Sequence, residues 1–111
     1  MNQLTDLYKT LSDETRMRII NLIYQQDLCV CELVEILELS QPKISKHIAK
    51  FRQIGLVETE RNEQFIYYKF NHNNTAYENI IKNMIEEIGK TELYKHDVER
   101  LHTIETFVCS K

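Results

Sequence analysis

Glycine and proline are scarce: the 111 residues hold two of the first and one of the second. So few breakers leave little room for long irregular loops, and they favour a mostly α chain. No apolar run approaches the ~20 residues that cross a bilayer, so no membrane attachment is expected. The opening Met1-Asn2-Gln3-Leu4-Thr5-Asp6 has neither the basic nor the apolar region of a secretory leader. The expected compartment is the cytoplasm. Cysteine is sparse and odd in number, at Cys29, Cys31 and Cys109. That does not suggest a disulfide framework, and it points to thiols that act as metal ligands or redox sensors. A basic excess is missing too: net charge is −3 and the pI about 5.8. This is not the balance of a protein that coats nucleic acid indiscriminately. Also absent are a convergent Cys/His/Asp set, a Gly-rich phosphate loop and a metal-hydrolase motif. Neither an enzyme nor an organic cofactor is expected.

What is present is a charge pattern and a series of periodicities. Positions 41–52 carry Lys43, Lys46, Lys50 and Arg52, one histidine and no acid. Acids gather elsewhere, at Glu32, Glu35, Glu38, Glu86 and Glu87. An acidic chain with one basic face attracts DNA at that face and repels it elsewhere.

Leu4, Leu7, Tyr8 and Leu11 follow i, i+3, i+4, i+7 and predict a short amphipathic helix. Ser12-Asp13-Glu14 predicts the cap of a second, running to about position 26. A third begins near Cys29–Cys31, with Val30, Leu33, Val34 and Leu37 on one face. It stops at about 38–39. A fourth starts at Ser40 or Gln41, with Pro42 in its first turn, where a missing N–H costs nothing. Its inner face is read as Ile44, Ile48 and Phe51, and Gly55 falls where a helix C-cap belongs. Two strand-like runs follow, at about 56–60 and 64–70, with Arg61-Asn62-Glu63 as the hairpin tip. Tyr67, Tyr68 and Phe70 are expected to pack the hairpin on the third and fourth helices. Tyr77 to Ile88 and a run from about Thr91 keep helical spacing. The order is α-α-α-α-β-β-α-α, a winged helix-turn-helix over 1–111 as one domain.

On the fourth helix Gln41, Lys43, Ser45, Lys46, His47 and Lys50 are read as outward. Gln bonds adenine, Lys bonds guanine or phosphate, and Ser adapts. Arg61 at the hairpin is expected to reach a flanking phosphate or minor groove. The apolar stripes Leu4/Leu7/Leu11 and Ile80/Ile81/Met84/Ile88 exceed what a small winged-helix core buries. They predict a homodimer, matching palindromic operators with half-sites ~34–36 Å apart.

Three segments together resemble the ArsR/SmtB family of bacterial metal-sensing repressors. They are Leu28-Cys29-Val30-Cys31-Glu32-Leu33, Leu39-Ser40-Gln41-Pro42-Lys43-Ile44-Ser45-Lys46-His47 and Gly55-Leu56-Val57. The Cys-Val-Cys pair is similar to the arsenic-repressor branch. The resemblance implies a homodimer that sits on operator DNA and leaves it when a thiophilic ion binds. Arsenite or antimonite is the implied inducer, with cadmium, lead and zinc as alternatives. Thiolates select such soft ions.

Cys29 and Cys31 two apart on a regular helix would point ~200° from each other. They can share an ion only if the first turn is extended or distorted. The family's third cysteine would fall at position 34, which is Val34. Cys109 is the remaining thiol, so it is a third ligand from the same chain or its partner, or an outside ligand completes the set. The zinc-sensing branch places histidines on the helix after the wing, and positions 79–90 hold none. A thiol-redox or persulfide switch in the same fold is the alternative function.

Overall fold

The computed structural model describes residues 3–104. Its elements are α1 (Gln3–Leu11), α2 (Glu14–Gln25), β1 (Leu28–Cys29), α3 (Val30–Leu37), α4 (Gln41–Gln53), β2 (Val57–Asn62), β3 (Phe65–Phe70), α5 (Thr75–Ile88) and α6 (Glu92–Ile104). The expected order holds, with one addition. The two-residue β1 pairs antiparallel with β3, Leu28 against Tyr68 and Cys29 against Tyr67. The sheet therefore has three strands in the order β1-β3-β2.

Local chemistry sets the helix ends. The Asp13 carboxylate accepts from the Arg16 N–H at 3.1 Å and starts α2. Ser40 caps α4, its Oγ accepting from the Lys43 N–H at 3.4 Å. Asn74 caps α5 through the Tyr77 N–H at 3.1 Å. At the other end of α4, Gly55 has φ +77°. Its N–H donates to the Arg52 carbonyl and that of Leu56 to the Phe51 carbonyl, at 3.1 and 2.9 Å. This paired pattern needs a left-handed residue, which glycine adopts without penalty.

The core joins Leu7 and Leu11 of α1, Ile19, Ile20, Leu22 and Ile23 of α2, Leu33 and Ile36 of α3, and Ile44, Ile48 and Phe51 of α4. Phe70, Ile81 and Leu101 close it from the sheet and the last two helices. Three of the expected dimer residues are therefore corrected. Leu7 and Ile81 are 0 % exposed and Leu11 is 7 % exposed, so the protomer's own core covers nearly all of these side chains. Leu4 at 39 % exposure, with the partly covered Ile80, Met84 and Ile88, keeps apolar surface. Periodicity finds an apolar stripe but not what covers it.

The hairpin also differs from expectation. Its turn is Glu63-Gln64, with Glu63 at φ 59°, so Arg61 lies within β2, opposite Ile66. The β3 strand packs on α2, where the Tyr24 ring meets Phe70 edge-on at 4.9 Å, while the other hairpin strand, β2, packs on α4 as expected.

The α6 helix lies across α2 and α3. The Arg18 guanidinium forks onto Asp97, both bonds 2.8 Å, and Asp97 is 0 % exposed. Further along, Arg100 donates through Nε to the Ile36 carbonyl at 2.9 Å and through Nη2 to the Glu35 carbonyl at 2.6 Å. Those carbonyls belong to the last turn of α3, which has no helical partner for them. The same last turn ends at Glu38 in the left-handed region, φ 58°. No described helix is long and apolar enough to cross a membrane.

Candidate nucleic-acid interface and thiol site

The α3–α4 pair forms a helix-turn-helix through Glu38-Leu39-Ser40. On α4, Gln41, Lys43, Ser45, Lys46 and Lys50 are all exposed. No acid occupies the first turn of α4, so its positive end is left unneutralised. Among the described residues, none of Lys43, Lys46, Lys50 or Arg61 enters an ion pair. Arg61 is exposed on β2, one residue short of the turn. The five α4 side chains and Arg61 thus present donors and positive charge to solvent.

His47 is corrected. It is 8 % exposed, and its Nδ1 accepts from the Arg16 Nε–H at 3.1 Å. It stands three residues after Ile44 and one before Ile48, so spacing placed it on the inward stripe all along. Burial pushes its pKa below the usual histidine value, aided by Arg16, Lys43 and Lys46 and opposed by Asp13.

The two N-terminal cysteines resolve the geometric difficulty posed by their spacing. Cys29 is not on the helix. It is the N-cap of α3, extended at φ −94°, ψ 167°, and ends β1. Cys31 lies in the first turn and is exposed. Their sulfurs stand 3.0 Å apart. The cap is a capping box with sulfur in place of hydroxyl. The Glu32 carboxylate accepts from the Cys29 N–H at 3.0 Å, and the Cys29 sulfur faces the Glu32 N–H. Burial pushes the Cys29 thiol up to about 11; the Glu32 N–H opposes this and the Glu32 charge adds to it. The thiol is therefore protonated at neutral pH.

A groove of about 350 Å³ opens beside Cys31, lined by Val30, Val34, Glu35 and Gln41. One wall is the thiol turn and the other is the first residue of α4. Position 34 offers a valine there and no third sulfur. Among the described residues, no cluster of three His, Cys, Asp or Glu could hold a metal. Cys109 lies outside the described residues. The β1–β3 pairing was missed because two residues carry no period-2 signal and their partner lies far along the chain.

The profile of the bacterial regulatory protein, arsR family, matches residues 13–59. The chain is 48% identical over 64 residues to arsenic resistance transcriptional regulator ArsR1 of Pseudomonas putida, covering 57% of this chain and 50% of that protein. It thus spans about half the length of such curated relatives. To the arsenical resistance operon repressor of Staphylococcus aureus it is 33% identical over 82 residues, covering 74% of this chain and 77% of the other. Among solved structures, reduced HlyU from Vibrio cholerae aligns with a TM-score of 0.66 at 32% identity, covering 79% and 86% of the two chains. The curated relatives named here are regulators, and the fold shared with HlyU is mainly helical with an antiparallel hairpin. The chain belongs to the arsR family of bacterial regulatory proteins.

Proposed function

We propose that this chain is a metalloid-responsive transcriptional repressor. It binds a palindromic operator as a homodimer and releases it when arsenite or antimonite is captured by thiols at the head of the helix-turn-helix. The observation that carries the reading is the pair of sulfurs 3.0 Å apart at the cap of α3. Two thiolates bound at ~2.3 Å to one ion, at angles of ~90–110°, stand ~3.3–3.8 Å apart. Closing around an ion thus asks for less than ~1 Å of adjustment. In this reading Cys29 supplies one ligand as a thiol, and Cys31, disulfide-bonded in this structure, supplies the second once reduced.

Cys109 is the proposed third. It follows Ile104 by five positions, a reach of up to ~17 Å of extended chain. The α6 helix from which it departs packs on α3, which favours the same chain as its source. An oxygen donor from outside is the rival. Cadmium, lead and zinc remain alternative ions for such a donor set.

Gln41, Lys43, Ser45, Lys46 and Lys50 are the proposed DNA-facing residues, with Arg61 on the flanking backbone. Leu4, Ile80, Met84 and Ile88 are the proposed dimer contacts. An effector moves a repressor only through different contacts in its two states. Here the ion would bind at the joint between β1 and α3, across a groove from Gln41. Both α4 and the wing therefore lie one contact from the thiols.

The reading is tested by titrating the purified chain, bound to the DNA upstream of its own gene, with arsenite, cadmium and zinc. Release by arsenite at the lowest concentration is expected; release by none sinks the proposal. Proton balance separates the ions further. Arsenous acid condenses with a thiol to form an As–S bond and water, so the thiol proton leaves on the hydroxide and none is released. A divalent ion must expel each thiol proton. With Cys29 protonated up to about 11, the cadmium midpoint should fall up to about tenfold per pH unit for each thiol between about pH 6.5 and 8. The arsenite midpoint should stay flat, and a matching slope for both ions counts against thiol capture. Separately, Lys46→Ala should weaken DNA binding and reduce the slope of log affinity against log salt by about one. An unchanged slope removes Lys46 from the phosphate contacts.

A further inference from the structure

Arg16 occupies the first turn of α2, where its own N–H is spent on the Asp13 cap. Its guanidinium reaches two other helices. Nη1 donates to the Thr10 carbonyl at the end of α1, 3.3 Å, and Nε donates to His47 Nδ1 in the middle of α4, 3.1 Å. His47 is nearly enclosed, while Lys43, Lys46 and Lys50 of the same helix stand exposed around it. Holding this ring therefore fixes the rotation of α4 about its axis, and with it the direction of the exposed lysines.

We infer that Arg16 and His47 are a positioning pair for DNA reading, and that the pair works only while His47 is neutral. The inference rests on the DNA-reading role proposed above. An arginine nitrogen donates and never accepts. The ring nitrogen facing it must therefore keep its lone pair, which places the proton of the neutral ring on Nε2. Protonation turns Nδ1 into a second donor 3.1 Å from the first. The charged groups facing the ring are Asp13 and Arg16 at the start of α2 and Lys43 and Lys46 on its own helix. Three of these four oppose the imidazolium. The α1 helix contributes the Thr10 carbonyl, already engaged by Arg16. A charged His47 must leave its place, and α4 turns with it.

This has an unusual sign. A histidine that merely faces phosphates binds DNA better as it gains charge. Here acid should weaken binding. The test is affinity at constant ionic strength for a duplex that the full chain itself enriches from random sequence. Between about pH 7.5 and 5.5, a loss of a few-fold is expected, concentrated at the acid end because burial holds the His47 pKa below the usual histidine value. His47→Leu should lose about tenfold at the higher pH, the scale of a broken buried hydrogen bond to a charged group. His47→Asn, whose Oδ1 can accept from Arg16 and cannot be protonated, should recover most of that loss and keep it in acid. Arg16→Met should weaken binding at the higher pH and flatten the profile.

Flat or rising affinity of the parent towards acid overturns the inference while leaving DNA reading intact. So does an acid loss that persists in His47→Asn. Failure of the parent to enrich any duplex overturns the DNA-reading role and the inference together.

Discussion

On the function proposed above, a Cys29→Ser chain should hold operator DNA as its parent does and should not let go when arsenite is added. The first half follows from the place of Cys29 in the fold. It is an N-cap with extended backbone, in a capping box with Glu32. Serine is among the preferred residues at that position, and its hydroxyl accepts from the N3 amide better than sulfur does. The replacement is close in shape, so α3 and the β1–β3 pairing stay as they are. The second half follows from the loss of one of the two adjacent sulfurs. Loss of an outer-shell partner already costs a metal site ~10–100-fold in affinity, so loss of a ligand should raise the arsenite midpoint at least ~100-fold. The measurement is fluorescence anisotropy of labelled operator against arsenite for both chains. Release at the parent's midpoint would remove Cys29 from the sensor. The buried, protonated state of this thiol weighs against oxidation at Cys29 itself, because oxidants attack thiolates that are exposed; the exposed Cys31, disulfide-bonded in this structure, is where a redox switch would act.

Arg18→Ala should be the most destabilising single change in the clamp between α2 and α6. It leaves the Asp97 carboxylate fully buried with its bidentate partner gone. Breaking a buried pair from one side costs about 3–5 kcal/mol, because the remaining charge has neither water nor a counter-ion. That is a large part of the ~5–15 kcal/mol by which a domain is stable. Urea denaturation followed by far-UV circular dichroism reads it directly. The double change Arg18→Met with Asp97→Leu removes both charges and should recover much of the loss. If Arg18→Ala costs less than about 1 kcal/mol, Asp97 has found water or a proton, and the clamp is not what holds α6.

Much of this architecture was written in short-range signals. Ser40, Pro42 and Gly55 each impose a local conformation, so both ends of α4 could be read from three residues. The lysines of α4 were legible because no acid interrupts them. What escaped was non-local. The β1 strand exists only because β3 folds back beside it. His47 falls in a run of outward lysines, yet its spacing from Ile44 and Ile48 argues for the core. Its partner, Arg16, lies 31 positions away, and nothing local announces such a bond. Leu7, Leu11 and Ile81 show the same limit from the other side. Their stripes were real, but what covers each stripe is decided by tertiary packing. Arg100, which ties α6 to the open carbonyls of α3, also carried no sequence signal.

The short β1 strand has an optical consequence. The chain holds six tyrosines and no tryptophan, so its near-ultraviolet emission comes from phenols alone. Tyr67 is the residue paired with Cys29 across β1 and β3. Directly opposed residues on neighbouring strands project to the same side, with Cβ atoms ~4.5–5.5 Å apart. A heavy ion seated on the Cys29 sulfur would therefore sit beside one of the six emitters and quench it. Ion capture becomes visible without a label and without DNA, through a ring that the fold has placed beside the cap.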